Sequence, residues 1–370
     1  MLYHLLVPLS DVLPGANVFR YISFRTAWGM ITALAITYLA FPAFISWMKQ
    51  RKMDQIIRDD GPESHRLNKV GTPTMGGLCI LLALGLSTLI WARLDEPLVW
   101  IVLVITLGYG VIGLVDDWKK VMEQSTDGLS GRWKIVLQVA IGGGALGAGY
   151  LTGAVEPVLP LPFLKDVVID FRELWVGAPD ALGWLYIGLG LFILVGTSNA
   201  VNLTDGLDGL AIGPVMTSAA TYGVLAYIAG NANFAEYLDL PYLPGAGELI
   251  VFAMAMVGAG LGFLWYNAYP ASIFMGDTGS LALGGAIGAL AICTHHELLL
   301  VLVGGIFVLE AVSVILQVGS FKMTGKRVFA MAPIHHHFEK RGWSEPKIIV
   351  RFWIISILLA LVALSTLKLR

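Results

Sequence analysis

The sequence predicts an all-α, polytopic membrane protein of about ten transmembrane helices. Hydrophobic residues make up 56% of the chain and charged residues only 14%, whereas soluble domains are about half apolar and about one quarter charged. The 43 glycines and 11 tryptophans also fit, since both residue types are frequent in or beside membrane helices. This composition excludes a large soluble catalytic domain, a disordered chain, a coiled coil and a disulfide scaffold.

Apolar segments long enough to cross about 30 Å of hydrocarbon recur along the whole chain. The residues before 27 contain Pro8 and Pro14, and we interpret them as an interfacial lead-in and not as a cleaved signal peptide. No linker, low-complexity tract or repeat divides the sequence, which predicts one integral-membrane domain over 1–370. The predicted spans are 27–47, 75–92, 98–115, 135–153, 183–199, 210–230, 249–266, 280–295, 298–318 and 348–367.

The distribution of basic residues predicts the orientation of these spans. One set of loops holds 17 of the 24 lysines and arginines, and the positive-inside rule makes that set cytoplasmic. Both termini are then periplasmic. The net charge of −2 gives no reason to expect nucleic acid, and Cys79 and Cys293 lie in apolar runs where we expect buried thiols. The predicted cytoplasmic loops are 48–74, 116–134, 200–209, 267–279 and 319–351.

The first cytoplasmic loop contains the segment DGPESHRLNKVGTPTMGG. Lys69, Thr72 and Thr74 offer a cation and two hydroxyls among glycines at the start of the second span. This composition suits an anion or a nucleotide. It is not a Walker loop, because the GxxxxGK[ST] pattern is absent from it.

The third span ends in GLVDDWKK, which places Asp116 and Asp117 at its inner end. Two adjacent carboxylates concentrate negative charge, which suits a hard divalent cation. Neighbours on a helix point about 100° apart, so both cannot easily bind one small ion, and we expect different roles for the two. The alternative is a solvated helix end.

The loop after the fifth span reads NAVNLTDGLDGL. Asn202, Asp205 and Asp208 are three residues apart, so a continued helix would put them on one face. Gly206 and Gly209 allow a backbone or a ligand to approach closely. Ordinary helix capping is the alternative interpretation.

Two further loops carry polar clusters. In NAYPASIFMGDTGS, Asp277 either caps the eighth span or is presented by a tight loop between Gly276 and Gly279, and Phe274 either stacks on a nucleobase or packs internally. In MAPIHHHFEKRGW, His335–His337 suggest donors to a phosphate or a carboxylate more than a zinc site, which usually has spaced ligands. Half of the flanking basic residues serve as topology signals or lipid contacts in this interpretation.

Acid, amide and basic groups thus collect on one membrane face. Negative groups for a metal beside positive groups for phosphate predict a metal-assisted phosphoryl transferase, and the membrane setting implies a lipid substrate. A secondary transporter would carry charged residues near the bilayer midplane. Glu310 is the only acidic residue inside a predicted span, which disfavours transport.

These segments resemble the phospho-N-acetylmuramoyl-pentapeptide transferase family, within the superfamily of polyprenyl-phosphate sugar-1-phosphate transferases. The superfamily shares the double aspartate and NLTDGLDG, whereas DGPESH, GTPTMGG, FMGDTGSL and MAPIHHHFE are typical of the pentapeptide branch. The resemblance covers essentially the whole chain. It implies transfer of phospho-N-acetylmuramoyl-pentapeptide from the UDP-linked donor to undecaprenyl phosphate, with Mg²⁺ required, UMP released and a homodimeric enzyme in the bacterial cytoplasmic membrane. A sister transferase that uses a UDP-N-acetylhexosamine is the alternative.

The resemblance also implies roles for individual residues. Asp277 matches the metal ligand and a catalytic residue, Asp116 the acid that deprotonates or positions the lipid phosphate, and Asp117 a neighbour in the metal and phosphate region. Lys120 and Lys134 match basic residues near the diphosphate. The positions that match the nucleoside and substrate pocket are Lys69, Thr74, Asn202, Asp205, Asp208, Asn267, Phe274, His335, His336 and His337.

Overall fold

The computed structural model describes residues 1–51, 71–125, 127–162, 164, 167–174 and 179–368. In these ranges, nine helices are long and apolar enough to cross a membrane, and a shorter apolar helix covers Gly77–Trp91. The predicted helical membrane fold is therefore confirmed. In chain order the helices are α1 Leu2–Leu6, α2 Ile22–Gln50, α3 Gly77–Trp91, α4 Pro97–Met122, α5 Gly131–Leu151, α6 Pro179–Thr204, α7 Ile212–Ala229, α8 Ala232–Tyr237, α9 Leu249–Asn267, α10 Gly276–Cys293, α11 Leu300–Val303, α12 Gly305–Thr324, α13 Ile334–Lys340 and α14 Glu345–Ser365.

The predicted ninth span, 298–318, is wrong as one continuous helix. The chain forms the single turn α11, breaks at Gly304, and begins again as α12. The break falls at a pair of glycines, and glycine is a poor helix former because it loses the most backbone entropy. The first span also differs, since α2 begins at Ile22 and continues through Pro42 to Gln50.

A short antiparallel hairpin, which we did not predict, lies between α5 and α6. Strand β1 (Val158–Pro160) pairs with β2 (Val168–Asp170). Three-residue strands carry too little alternation of apolar and polar residues to be recognised in a sequence.

Helix α10 forms the centre of the bundle. Within its membrane-length window 89% of the residues are buried, against 22% for α12 at the periphery. It packs against α4 and α6, while α9 packs against α2, α3 and α7. Cys79 and Cys293 are buried and unpaired, as expected.

Glycines bring the beginning of α10 into backbone contact with two other helices. A Cβ atom at Gly77 would overlap the backbone nitrogen of Gly279, and one at Gly113 would overlap the carbonyl oxygen of Asp277. Helices approach this closely in membranes where small residues line the interface. The ends of α3 and α4 that meet there therefore lie directly beside Asp277.

The opposite end of the bundle contains buried charged groups that the sequence did not reveal. Arg25 donates two hydrogen bonds of 2.5 Å to Glu248, which joins α2 to the chain before α9. Farther along, Tyr186 donates a hydrogen bond to Glu297, and Nδ1 of His295 lies 3.0 Å from the carbonyl oxygen of Val158 on β1. Burial raises the pKa of Glu297 to about 8 and lowers the pKa of His295 to about 4.

Candidate active site

Three aspartates from two helices converge at one end of the bundle. Asp116 and Asp117 lie near the end of α4 and Asp277 in the first turn of α10. One carboxylate oxygen of each lies within 4.8 Å of the others. The adjacent pair therefore reaches one small region together with Asp277, and our expectation that the two acids have different roles stays a prediction.

Two lysines lie among these carboxylates. Nζ of Lys120 is 2.6 Å from Asp116 and 3.2 Å from Asp277. Nζ of Lys134 is 3.0 Å from Asp116 and 2.7 Å from Asp277. Lys120 reaches Asp116 because the two are four residues apart on α4, whereas Lys134 comes from the first turn of α5. The site thus combines acids suited to a metal with cations suited to phosphate.

Asp117 caps α10. Its carboxylate accepts hydrogen bonds from the backbone N–H groups of Asp277 (3.0 Å) and Thr278 (2.9 Å) and from the Thr278 hydroxyl (2.7 Å). Unpaired N–H groups at a helix start favour such an acceptor, and the helix dipole favours its negative charge. The capping role considered for Asp277 therefore belongs to Asp117, and the Asp277 carboxylate faces the two lysines.

Asp116 is the most enclosed of the three acids. Its side chain has no exposed surface, whereas 16% of the Asp277 side chain is exposed. The backbone N–H of Leu129 donates to Asp116 at 2.6 Å, and the backbone at Gly128 lies so close that a Cβ atom there would overlap the carboxylate. A phosphate can reach Asp116 only if the segment around Gly128 or the lysines shift, whereas Asp277 is already accessible.

Asn202, in the last turn of α6, orients Asp277. Its Nδ2 donates to Oδ1 of Asp277 (2.9 Å) and lies 2.8 Å from Oγ of Ser280. This contact brings α6 to the carboxylates.

The predicted common face for Asn202, Asp205 and Asp208 is wrong. Helix α6 ends at Thr204, and the glycine-containing residues that follow form turns. Asp208 accepts a hydrogen bond from the backbone of Ala271 at 3.0 Å. The structure therefore brings Asn202 to the carboxylates and directs Asp208 to a neighbouring loop.

Asn267 joins that loop to the NLTDGLDG segment. Its Oδ1 accepts a hydrogen bond from the N–H of Gly209 and its Nδ2 donates to the carbonyl of Ile273, each at 2.8 Å. The side chain is buried, so its amide supports two backbone segments. Phe274 is half-buried beside this region.

The segment before α3 pairs with the segment before α10. The N–H of Phe274 donates to the carbonyl of Pro73, and the carbonyl of Phe274 accepts from Gly76. Thr74 is buried beside Gly276. This pairing places Thr74 next to the carboxylates, while Lys69 lies outside the described residues.

The three histidines point to different partners. His335 is buried, with Nδ1 3.1 Å from Glu310 on α12, and its ring packs against Gly206 of the NLTDGLDG segment. Nδ1 of His336 lies 2.5 Å from Glu339, and Nδ1 of His337 accepts from the backbone of Ala330.

A zinc site at the histidines has no support. In the part of the chain that the structure describes, the only group of three or more potential metal ligands close enough for one ion is the aspartate triad.

Comparisons with known proteins identify the family of this chain. The family description "glycosyl transferase family 4" matches residues 99–295, which include the three aspartates, both lysines and Asn202. Phospho-N-acetylmuramoyl-pentapeptide-transferases from Syntrophus aciditrophicus, Citrifermentans bemidjiense and Rhodopseudomonas palustris are 57%, 56% and 54% identical to this chain, and each alignment covers 100% of both proteins. The chain belongs to the phospho-N-acetylmuramoyl-pentapeptide-transferase family.

The sequence analysis of this transferase family member missed several polar residues around the acids. Thr278 helps to anchor Asp117, and Ser280 contacts Asn202. Their positions one and three residues after Asp277, at the beginning of a helix, are the signal that could have identified them. Gln138, which lies behind the site, carries no such signal because it stands alone in an apolar segment.

Proposed function

We propose that this protein transfers phospho-N-acetylmuramoyl-pentapeptide from its UDP-linked donor to undecaprenyl phosphate, releases UMP and forms the first lipid intermediate of peptidoglycan synthesis. The observation that carries the proposal is the interleaving of three carboxylates with Lys120 and Lys134. A phosphoryl transition state spreads negative charge over several oxygens, and this donor set suits that charge. The names of the full-length relatives support the same reaction.

Mg²⁺ is the cofactor that these residues fit. Magnesium prefers oxygen ligands, and the triad offers three carboxylates within one ion's reach. Asp277, the most accessible of the three, is the proposed ligand, with Asp116 and Asp117 beside it. When bound, the ion supplies positive charge to the phosphate oxygens.

The chain's own residues then have separate tasks. Lys120 and Lys134 hold Asp277 in the present arrangement and can turn toward the donor diphosphate when it enters. Asp116 positions the lipid phosphate or takes its remaining proton, a small task because the second pKa of a phosphate monoester is about 6. An oxygen of the lipid phosphate then forms a bond to the sugar-bearing phosphorus, and the P–O bond to UMP breaks in one direct displacement.

The remaining predicted residues form the proposed donor pocket on the cytoplasmic face of the bacterial inner membrane. Phe274 is half-buried and is the candidate for stacking on uracil. Homodimerisation stays a prediction that rests on the family resemblance. The other proposed contacts to donor or lipid are Lys69, Thr74, Asn202, Asp205, Asp208, His336 and His337. Asn267 and His335, which are buried against protein partners, support the proposed pocket from behind.

The first experiment replaces Asp277 by asparagine. Asp277→Asn preserves the shape of the side chain and removes the charge that holds a hard cation. UMP release from the UDP-linked pentapeptide donor and undecaprenyl phosphate should be abolished at ordinary Mg²⁺ concentrations. Glu123→Gln is the control. Glu123 is an exposed acid of the same region, and its ion pair with Lys119 is long, at 4.0 Å. Near-normal turnover by Asp277→Asn would contradict the assignment.

Donor choice is tested on the unmodified protein. UMP should be released with the pentapeptide donor and not with UDP-N-acetylglucosamine. Release with the hexosamine donor alone would favour the sister transferase, and no release with either donor would contradict an enzymatic function.

A further inference from the structure

A buried glutamine lies directly behind the acid site. Gln138 is fully buried in α5, within a segment of membrane length. Its Nε2 donates to Oγ of Ser198 at 2.8 Å, and its Oε1 accepts from Nδ2 of Asn199 at 3.0 Å. Both ends of the side-chain amide therefore bind α6.

The network extends from Gln138 to two more helices. The hydroxyl of Tyr109 on α4 donates to the backbone carbonyl of Gln138 at 3.0 Å. Oγ of Ser198 donates in turn to the carbonyl of Leu281 on α10 at 2.8 Å. Four helices thus meet around residue 138, with α4 bonded to its backbone carbonyl and α10 reached through Ser198, and they are the four helices that carry Asp116, Lys134, Asn202 and Asp277.

The residues of this network lie on the same helix faces as the residues of the acid site. Residues three, four or seven positions apart lie on the same face of a helix. Each network residue stands one or two turns from a site residue of its own helix, in the pairs Tyr109 and Asp116, Gln138 and Lys134, Ser198 and Asn202, and Leu281 and Asp277.

We infer that Gln138 is a positioning residue, which fixes α5 and α6 against α10 so that Lys134 and Asn202 meet Asp277. Its amide supplies a donor and an acceptor at once, so α5 can neither rotate nor slide without losing a hydrogen bond. An apolar side chain of equal size would fill the same space without fixing that register. The turnover experiments rest on the proposed function, whereas the measurement of backbone hydrogen exchange does not.

The test replaces Gln138 by methionine, which has a similar length and no amide. A small displacement of a catalytic group reduces turnover strongly, so kcat should fall between about tenfold and about 100-fold. The KM for the UDP-linked donor should stay within about twofold of the wild-type value, because the loss falls on the reacting groups. The thermal midpoint should change little, since interhelical hydrogen bonds contribute little to membrane-protein stability on average.

Two further variants separate positioning from general destabilisation. Thr106→Val removes a buried hydroxyl of α4 that donates only to Val102 of its own helix, and its kcat should match that of the wild type. Ser198→Ala should lower kcat as Gln138→Met does. The double variant Gln138→Met/Ser198→Ala should be no slower than the slower single variant, because both changes break one network.

Hydrogen exchange gives a readout that needs no turnover. In Gln138→Met, backbone amides at the beginnings of α5 and α10 and at the end of α6 should exchange faster than in the wild type, with the other helices unchanged. Unchanged exchange at these three places, additive losses of kcat, or a fall in kcat matched by an equal fall in folded protein would each overturn the inference. A wild-type protein that releases no UMP would refute the proposed function and leave the exchange result to decide the role of Gln138.

Discussion

Asp116 and Asp117 are adjacent acids with different partners, so their asparagine variants should fail in different ways. Asp117 accepts three hydrogen bonds from the beginning of α10, whereas Asp116 contacts Lys120, Lys134 and the backbone of Leu129. Replacement of Asp117 therefore disturbs the helix that carries Asp277. Replacement of Asp116 alters a group that contacts both lysines.

The size of the expected fall in kcat for Asp117→Asn follows from these hydrogen bonds. Asparagine keeps one acceptor oxygen, so at least one backbone N–H of α10 loses its partner, at a cost of about 1–3 kcal/mol for a buried group. Loss of the negative charge at the helix start costs a further 0 to about 1 kcal/mol. If this disturbance of about 1–4 kcal/mol acts on Asp277 in the transition state, kcat should fall by about 5-fold to about 700-fold, at about 1.4 kcal/mol per factor of ten.

Asp116→Asn should also lower kcat, but with a different dependence on pH. If Asp116 takes the proton of the lipid phosphate, a higher pH should restore part of the rate, because more of the phosphate is dianionic above its second pKa of about 6. The affinity for the UDP-linked donor should stay largely intact. Asp117→Asn should show no recovery, since no pH restores a lost cap.

The assay is kcat against pH for both variants and the wild type at saturating Mg²⁺. Thr278→Ala is the matched intermediate, because it removes only one of the three bonds to Asp117, and its loss should be about tenfold or less. Parallel pH profiles for Asp116→Asn and Asp117→Asn would refute the division of roles. Changed donor affinity in both would assign both acids to the metal and diphosphate site.

Three further predictions concern other parts of the molecule. Glu310→Leu leaves buried His335 without its carboxylate and should lower the free energy of unfolding by about 3 kcal/mol, more than Glu310→Gln does; equal losses in a denaturant titration would contradict this. Burial raises the pKa of Glu297 to about 8, whereas the unfolded carboxyl ionises near 4.5, so the folded protein binds an extra proton between these values. From pH 7 to 8, where an unfolded histidine is mostly neutral, the free energy of unfolding should therefore fall by about 1 kcal/mol as pH rises; an equally steep fall of the thermal midpoint with pH in Glu297→Gln would exclude this cause. A cysteine placed in 319–347 should react with an impermeant thiol reagent only in broken cells and one in 231–247 in intact spheroplasts, and the reverse pattern would overturn the orientation.

The helices were predictable because hydrocarbon imposes its length on each apolar segment. The pairing of Asp116 with Lys120 follows equally from their spacing on one helix. The sequence could not reveal that α6 ends at Thr204, since the spacing of Asn202 and Asp208 suits a helix and only the turns after Thr204 redirect the chain.

Contacts between residues far apart in the sequence could not be predicted either. Asp117 and Thr278 are 161 residues apart, and spacing carries no information about such a pair. Glu310 was conspicuous as an acid inside a span, but its partner His335 becomes visible only when α12 and α13 lie together. Polar residues that join helices across the bundle therefore require the tertiary structure.

The contact of α10 with Gly77 and Gly113 has a consequence for how this site can evolve. At both positions a single added carbon would collide with the backbone of the turn that carries Asp277, so even alanine forces two helices apart. Neither glycine has a functional group that could touch a substrate. Substitutions that inactivate this protein should therefore include positions that have no functional group of their own.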